Sequence, residues 1–323
     1  MKKLLIFMLC MLCISVSHAK NNNKEFIKII KAHDVSAVAK ELPESAEEKD
    51  FWLAVLNNNP ITDKFAADIQ KGKGAEKQAL EAYNRMRAYN YKADVEIVED
   101  LRGFCDTLVM DMGLPAHIFE LNVILDPTPN AFAVLTNDGF AICLNSGLFD
   151  ALEYDYLRIM AVTAHEFAHG AFFHHIRKEY EVAKKERKDK ILGGIATGLT
   201  AASAGLDAYT AGLTGQEYDS SVYEKRIAKI ADDMKQSSIK FRYKYGRESE
   251  LEADLAAIRF MQFIGHPEKY IEALQMISSS PDYFWADEDS DHPSTAYRVE
   301  FLNFAIDNPQ YGYEVKTKQL TDW

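Results

Sequence analysis

Five consecutive residues, His165-Glu166-Phe167-Ala168-His169, constrain this chain more than any other stretch. On an α-helix, positions i and i+4 share a face, so both imidazoles can point at one ion. Glu166, beside the first histidine, can reach a water on the open side of that ion without being a ligand. The surroundings argue against a chance match, because from Ile159 to Phe173 these three are the only titratable side chains. Buried polar groups persist only where they have partners, so a helix otherwise apolar keeps such residues for a reason. Two histidines leave a catalytic zinc one protein ligand short, and the third must come from elsewhere in the chain.

Three ways of supplying it can be tested. His175 stands six residues after His169, but Phe172 occupies the position where a glycine would let the chain leave the helix and return. With Phe172 there the helix is expected to continue and carry His175 off the face of His169. A glutamate about twenty residues downstream in an N-E-x-x-x-D context is the second route, and nothing between Glu181 and Asp189 offers it. The third is Arg247-Glu248-Ser249-Glu250-Leu251-Glu252-Ala253-Asp254. Glu250 and Asp254 are i and i+4 on one helical face, with Arg247 within a turn of Glu250. Glu250 would be the ligand, and Asp254 would accept the remote N–H of a ligand histidine and fix its tautomer. The plain alternative is a solvated acidic face for Glu248, Glu250 and Glu252. Alternate residues on a helix do not share a face, so at most one of them is the ligand, and Asp254 selects Glu250.

With these segments in view, the chain resembles the zinc metallopeptidase family M48, which includes HtpX, the CAAX prenyl proteases and periplasmic quality-control proteases. Four segments carry the resemblance in order: Asn130-Ala131-Phe132-Ala133 followed by Gly147-Leu148; His165 to His169; Arg247, Glu250, Ala253 and Asp254; and His292-Pro293 with Arg298. It covers about residues 92 to 305 and is closest to a soluble, exported branch of the family. It implies a gluzincin-type domain holding one Zn²⁺ per chain on His165, His169 and Glu250. Asp254, Arg247 and Arg298 would support the ligands. Glu166 would act as general base and acid in peptide-bond hydrolysis. Residues Asn130, Ala131, Phe132, Ala133 and Val134 would form an edge strand that takes the substrate backbone. His292 would lie near the metal, either as a donor to the developing oxyanion or as an occupant of the open position. The plainer reading of His292-Pro293 is a helix-entry turn, as at His266-Pro267. His33, His117, His174 and His266 are read as ordinary surface or satisfied histidines.

The rest of the chain supports an α+β, mainly α domain with a small, mostly antiparallel sheet. Lys2 and Lys3, the apolar run Leu4 to Val16 and Ser17-His18-Ala19 read as an export leader over residues 1–19. Residues 20–91 read as a helical segment of unassigned role and 92–323 as the metallopeptidase domain. A helix is expected over Ala93 to Met112, then strands over Phe119–Leu125, Ala131–Leu135 and Phe140–Leu144, the last two joined by Asn137-Asp138-Gly139. The metal helix is expected to run from Tyr154 into Arg177–Lys190, and separate helices over Glu217–Tyr245 and Ser249–Ile264. Ile191 to Leu206 carries no charge, yet it is short and rich in Gly, Ala, Thr and Ser for a membrane span. It reads instead as a small-residue segment near the cleft, and the longer stretch Ile191–Gly215 as a gate able to cover it. A net charge of −12, without a Lys/Arg stripe, disfavours nucleic acid as a partner. The expected partners are polypeptide substrates, envelope proteins among them, and the expected location is exported, periplasmic in a Gram-negative cell. Cys105 and Cys143, the two cysteines beyond the leader, are read as separate buried thiols.

Overall fold

The computed structural model describes residues 22–33, 42–57 except 44, 96–136, 140–214, 219–280 and 292–311, with single positions between 58 and 95. Of residues 135, 205 and 209–214 it describes the backbone alone. The leader, most of 58–95 and the Asn137-Asp138-Gly139 turn lie outside the described residues.

Two helices come first, α1 over residues 22–33 and α2 over Glu48–Asn57. Both pack onto the C-terminal half of the chain. Phe26 of α1 packs on Tyr297, Phe301 and Phe304, and Phe51 and Trp52 of α2 pack on Phe260. The helix expected from Ala93 begins later, at Arg102, after a single 3-10 turn over Glu99–Leu101. The residues ahead of it are drawn into the sheet: Val98 N donates to Val123 O and Leu125 N to Glu96 O, both at 2.8 Å, and Ile97 bridges Ile124. Helix α3 then covers Arg102–Asp111.

Strands β1 (Phe119–Ile124), β2 (Ala131–Leu135) and β3 (Phe140–Asn145) form one sheet in the order β1-β3-β2. β2 and β3 pair antiparallel, as the hairpin signal predicts, but β1 joins β3 in parallel, so the sheet is mixed rather than mostly antiparallel. The chain leaves β1 and passes the middle position before returning through it, which forces that parallel pair. β2 is consequently an edge strand.

Helix α4 (Ser146–Ala151) leads to α5 (Tyr156–Ala171), buried on every side from Ile159 to Ala171. Phe167 of α5 meets Trp52, Phe119 and Phe140 with ring centroids 4.9, 5.3 and 5.8 Å away. Gly170 lets α5 lie directly on the sheet, since a Cβ there would come 2.2 Å from the Phe140 ring. Cys105 and Cys143 are both buried and unbridged; burial pushes each thiol up to about 11.

Beyond α5 lie two long helices, α6 over His174–Thr214 and α7 over Ser221–Phe263, packed against each other as an arm. Gly246 does not interrupt α7, so the two helices expected from Glu217 to Ile264 are one. At 1.5 Å per residue, the 41 residues of α6 extend about 60 Å. The expected gate over Ile191–Gly215 is therefore not beside the cleft: the segment from Ile191 to Thr214 continues α6 outward, with α7 as its neighbour. Its small residues Gly193, Ala196 and Thr200 are at least partly covered on one side. Its large ones, Ile191, Leu192, Ile195, Leu199 and Leu206, face solvent at 55–66% exposure. By length and mean hydropathy the stretch His174–Ala208 of α6 is apolar enough to cross a membrane, where the sequence argument disfavoured a span, and almost none of its apolar part is buried. The α7 residues alongside carry Glu224, Lys225, Arg226, Lys229, Asp232, Asp233 and Lys235, so the arm as a unit is not apolar. Helices α8 (Pro267–Ser279, with proline in its first turn) and α9 (Thr295–Asp307) follow, and a 3-10 turn over Pro309–Tyr311 closes the described fold.

Candidate metal centre and active site

The site is built where α5, α6, α7, α8 and α9 converge. Asp155 caps α5 by accepting from Arg158 N at 3.1 Å, and the helix ends at Phe172 rather than running on. Phe172 is fully buried and Phe173 takes φ 55°, a left-handed conformation that costs a non-glycine residue roughly 1 kcal/mol. That single residue redirects the chain, and α6 starts at once with His174. The expectation of a continuous helix from Tyr154 to Lys190 thus fails, yet the rejection of His175 as ligand stands for a different reason. Its Nε2 lies 3.0 Å from the carbonyl of Ala133 on β2, to which it donates.

His165 and His169 bring their Nε2 atoms to 3.0 Å of each other. Glu250, from the packed face of α7, sets Oε2 3.5 Å from His165 Nε2 and Oε1 3.4 Å from His169 Nε2. One ligand atom from each of the three falls within 4.8 Å of the others. Ligand atoms about 2.0–2.2 Å from a shared tetrahedral centre lie about 3.3–3.6 Å apart; the separations here are 3.0, 3.4 and 3.5 Å, close enough for this His₂Glu set to hold a zinc ion with a small outward shift of the two imidazoles. Glu166 Oε1 is 4.0 Å from His165 Nε2, beside the set but outside it. Burial raises the Glu166 carboxyl above the usual carboxylate range, with the His165 charge opposing it.

Asp254, one turn on from Glu250 and fully buried, does what its spacing predicts. Its Oδ1 lies 3.1 Å from His165 Nδ1. Arg298 holds it with Nε at 2.9 Å from Oδ2 and Nη2 at 2.5 Å from Oδ1, and Tyr270 Oη donates to Oδ1 at 2.5 Å. Burial works against the Asp254 charge, but the Arg298 guanidinium outweighs it and holds the carboxyl down to about 2. Burial likewise opposes charge on His165, while hydrogen bonds to Asp254 and Glu250 lift the ring to about 9. The carboxylates that favour a proton on this ring also favour a metal cation at it, and the two compete for the ring. Arg247 is half-buried on α7, where its charge acts on Tyr297. The guanidinium that grips Asp254 is that of Arg298. His292 Nδ1 stands 3.3 Å from Glu250 Oε1, at the open side of the cluster.

Two residues do more than their plainest sequence readings allow. His174 is not an ordinary histidine: it is 3% exposed, with Nδ1 2.9 Å from His169 Nδ1. Glu252 is not on a solvated face: it is 2% exposed and takes both Nη1 and Nη2 of Arg177 at 3.1 Å. His33, from α1, places Nδ1 3.2 Å from Glu252 Oε2. Sequence reasoning also missed Tyr270, whose Oη is 2.9 Å from His165 Nδ1. Nothing local marks Tyr270 or Glu252, because both gain their meaning from helices that meet only in the fold. His174, five residues after His169, carried a signal that needed only a break at Phe173 to be read.

Among the five residues expected to bind substrate, Asn130 O accepts from Asn145 N at 3.0 Å. Continuing from there, the alternation of an antiparallel ladder turns the backbone groups of Phe132 and Val134 toward β3 and those of Ala131 and Ala133 toward the free edge. The outward carbonyl of Ala133 is the one already taken by His175.

Comparison with curated proteins gives no match. Among solved structures, the crystal structure of S. mikatae Ste24p is similar at 15% identity, over 92% of this chain and 65% of that one, with a TM-score of 0.39. A likeness so distant carries no argument here. The model of peptidase family M48, whose members are zinc-dependent peptidases, matches residues 99–305. That span holds every residue of the ligand set and its supports except those on α1, and on it the chain belongs to peptidase family M48.

Proposed function

We propose that the protein is an exported zinc metalloendopeptidase acting on polypeptides, misfolded or envelope proteins among them. The observation that carries this reading is the convergence of His165, His169 and Glu250 with Glu166 alongside. A zinc ion held there would supply Lewis acidity toward a scissile carbonyl and toward water. The chain's own groups do the rest. Glu166, its carboxyl raised by burial, takes a proton from the attacking water and returns it to the leaving nitrogen. Asp254 and Tyr270 hold His165 in place through its Nδ1. The outer edge of β2 offers the backbone of Ala131 and the N–H of Ala133 to an extended substrate, and His175 must release the Ala133 carbonyl for the pairing to continue. His292, beside Glu250, is poised to donate to the oxyanion or to stand at the open position until substrate arrives.

Digestion of casein with and without chelator, against Glu166→Gln, tests the reading. Cleavage that chelator abolishes and Glu166→Gln loses supports it; cleavage indifferent to both sinks it. Two observations favour a second reading, a latent enzyme that binds polypeptides and cuts rarely. His165, Glu166, His169 and Glu250 are all 5–9% exposed, and His175 occupies the Ala133 carbonyl that a substrate strand would use. Zinc-loaded protein that binds unfolded casein without cleaving it would favour that reading.

A further inference from the structure

We propose that His174 is a positioning residue for His169, anchored by Glu252, and that the N-terminal helix α1 completes this anchor. The inference rests on the zinc reading above. His169 turns Nε2 toward Glu250 and His165, and a neutral imidazole that offers the lone pair of Nε2 carries its proton on Nδ1. That N–H faces His174 Nδ1 at 2.9 Å, so His174 must accept there and carry its own proton on Nε2. His174 Nε2 in turn lies 3.3 Å from Glu252 Oε2, a close approach short of an aligned hydrogen bond.

The carboxylate at the end of this line is firmly held. Arg177 grips both oxygens of Glu252 at 3.1 Å and spends a further N–H on the carbonyl of Phe172, also at 3.1 Å. His33 stands beside the same carboxylate with Nδ1 3.2 Å from Oε2, likewise short of an aligned hydrogen bond. The two ligand rings are therefore oriented by different means. His165 meets its carboxylate directly, at Asp254, whereas His169 reaches one through a second imidazole. The break after α5 has a purpose in this arrangement. The left-handed turn at Phe173 places His174 in the first turn of α6, against His169, which a helix continuing through Phe172 would not do. Local strain of this kind persists where the surroundings over-determine it. His33 lies outside the stretch that matches the family, so this part of the support belongs to the chain's own N-terminal segment.

The test uses the full chain, with zinc affinity measured by chelator competition and geometry by the absorption of the Co²⁺-substituted protein. His174→Leu removes the acceptor facing His169, and zinc affinity is expected to fall about 10–100-fold with an altered Co²⁺ spectrum. His174→Asn, whose Oδ1 stands near the position of Nδ1, is expected to recover most of that loss. His33→Ala is expected to shift affinity in the same direction by less, since Arg177 still holds Glu252. Unchanged affinity and spectrum in His174→Leu would overturn the proposal. So would equal zinc losses in the Leu and Asn variants accompanied by equal losses of Tm in the metal-free proteins, which would mark a packing role. Wild-type affinity in His33→Ala would remove α1 from the anchor. Failure of the wild-type chain itself to bind zinc is a separate result, and it would sink the metal reading instead.

Discussion

At the scale of single residues, the proposed site separates holding a metal from moving a proton. His165→Ala, His169→Ala and Glu250→Ala each remove one of three ligand atoms, and each is expected to lose zinc by metal analysis. Glu252→Ala is a different case, because Glu252 supports the His174 ring rather than the metal; zinc should weaken without vanishing. Glu166→Gln keeps the shape and the ligands but cannot accept the proton. It should retain zinc while hydrolysis falls about 10²–10⁴-fold, measured as peptide turnover. Turnover within a few-fold of wild type would remove Glu166 from the role of base. Gly170 makes the steric counterpart. An alanine there would drive its Cβ into the Phe140 ring that Phe119 stacks on, and such overpacking costs about 1–3 kcal/mol. A Gly170→Ala variant as stable to urea as wild type would show that α5 can retreat from the sheet at no cost.

At the scale of elements, the position of α5 matters more than its sequence alone suggests. Its N-cap Asp155 also takes Lys269 Nζ of α8 at 3.0 Å, tying the metal helix to the helix that carries Tyr270. Burial opposes the Asp155 charge, and the hydrogen bonds from Arg158 N and Lys269 outweigh it, leaving its carboxyl below the ordinary aspartate value. Its folded-state pKa is therefore below that of the unfolded chain. The contribution is present in full above about pH 4 and is lost as pH falls through the depressed value. Asp155→Ala is expected to cost about 0.5–2 kcal/mol at pH 7 and progressively less below pH 4, by denaturant unfolding. A difference that stays constant down to pH 2.5 would show that the charge of Asp155 contributes nothing.

At the scale of the whole molecule, a tightly packed domain carries a long arm built on the opposite principle. In the domain, large apolar side chains from α1, α2, β3, α5, α7 and α9 share one core; in the arm, α6 turns its large residues outward and small ones toward α7. Leu192→Ser, Leu199→Ser and Leu206→Ser should each change stability by less than about 0.5 kcal/mol in thermal or denaturant unfolding. Leu255→Ala, at a fully buried position of the same helical pair, should cost about 2–5 kcal/mol. Comparable losses at both ends would mean that the outer face of α6 is covered within the chain.

The sequence by itself determined which side chains of the centre share a helical face. Spacing of four puts His165 with His169 and Glu250 with Asp254 on shared helical faces, and that periodicity is a local property of any helix. It also placed β2, the hairpin partner β3, the start of α8 at Pro267 and the late Arg298. Tertiary structure decided what the supports are. Glu252 became a buried anchor because α6 packs on α7, Tyr270 because α8 crosses under α5, and His33 because α1 lies against α7. It also decided that α5 ends at Ala171, with a locally unfavourable φ at Phe173 held by the core around Phe172. Helical periodicity is written in neighbouring residues, whereas burial and pairing across elements depend on contacts between segments far apart in the chain. The parallel partner of β3, the outward course of the arm and the double-imidazole line to His169 all belong to that second kind.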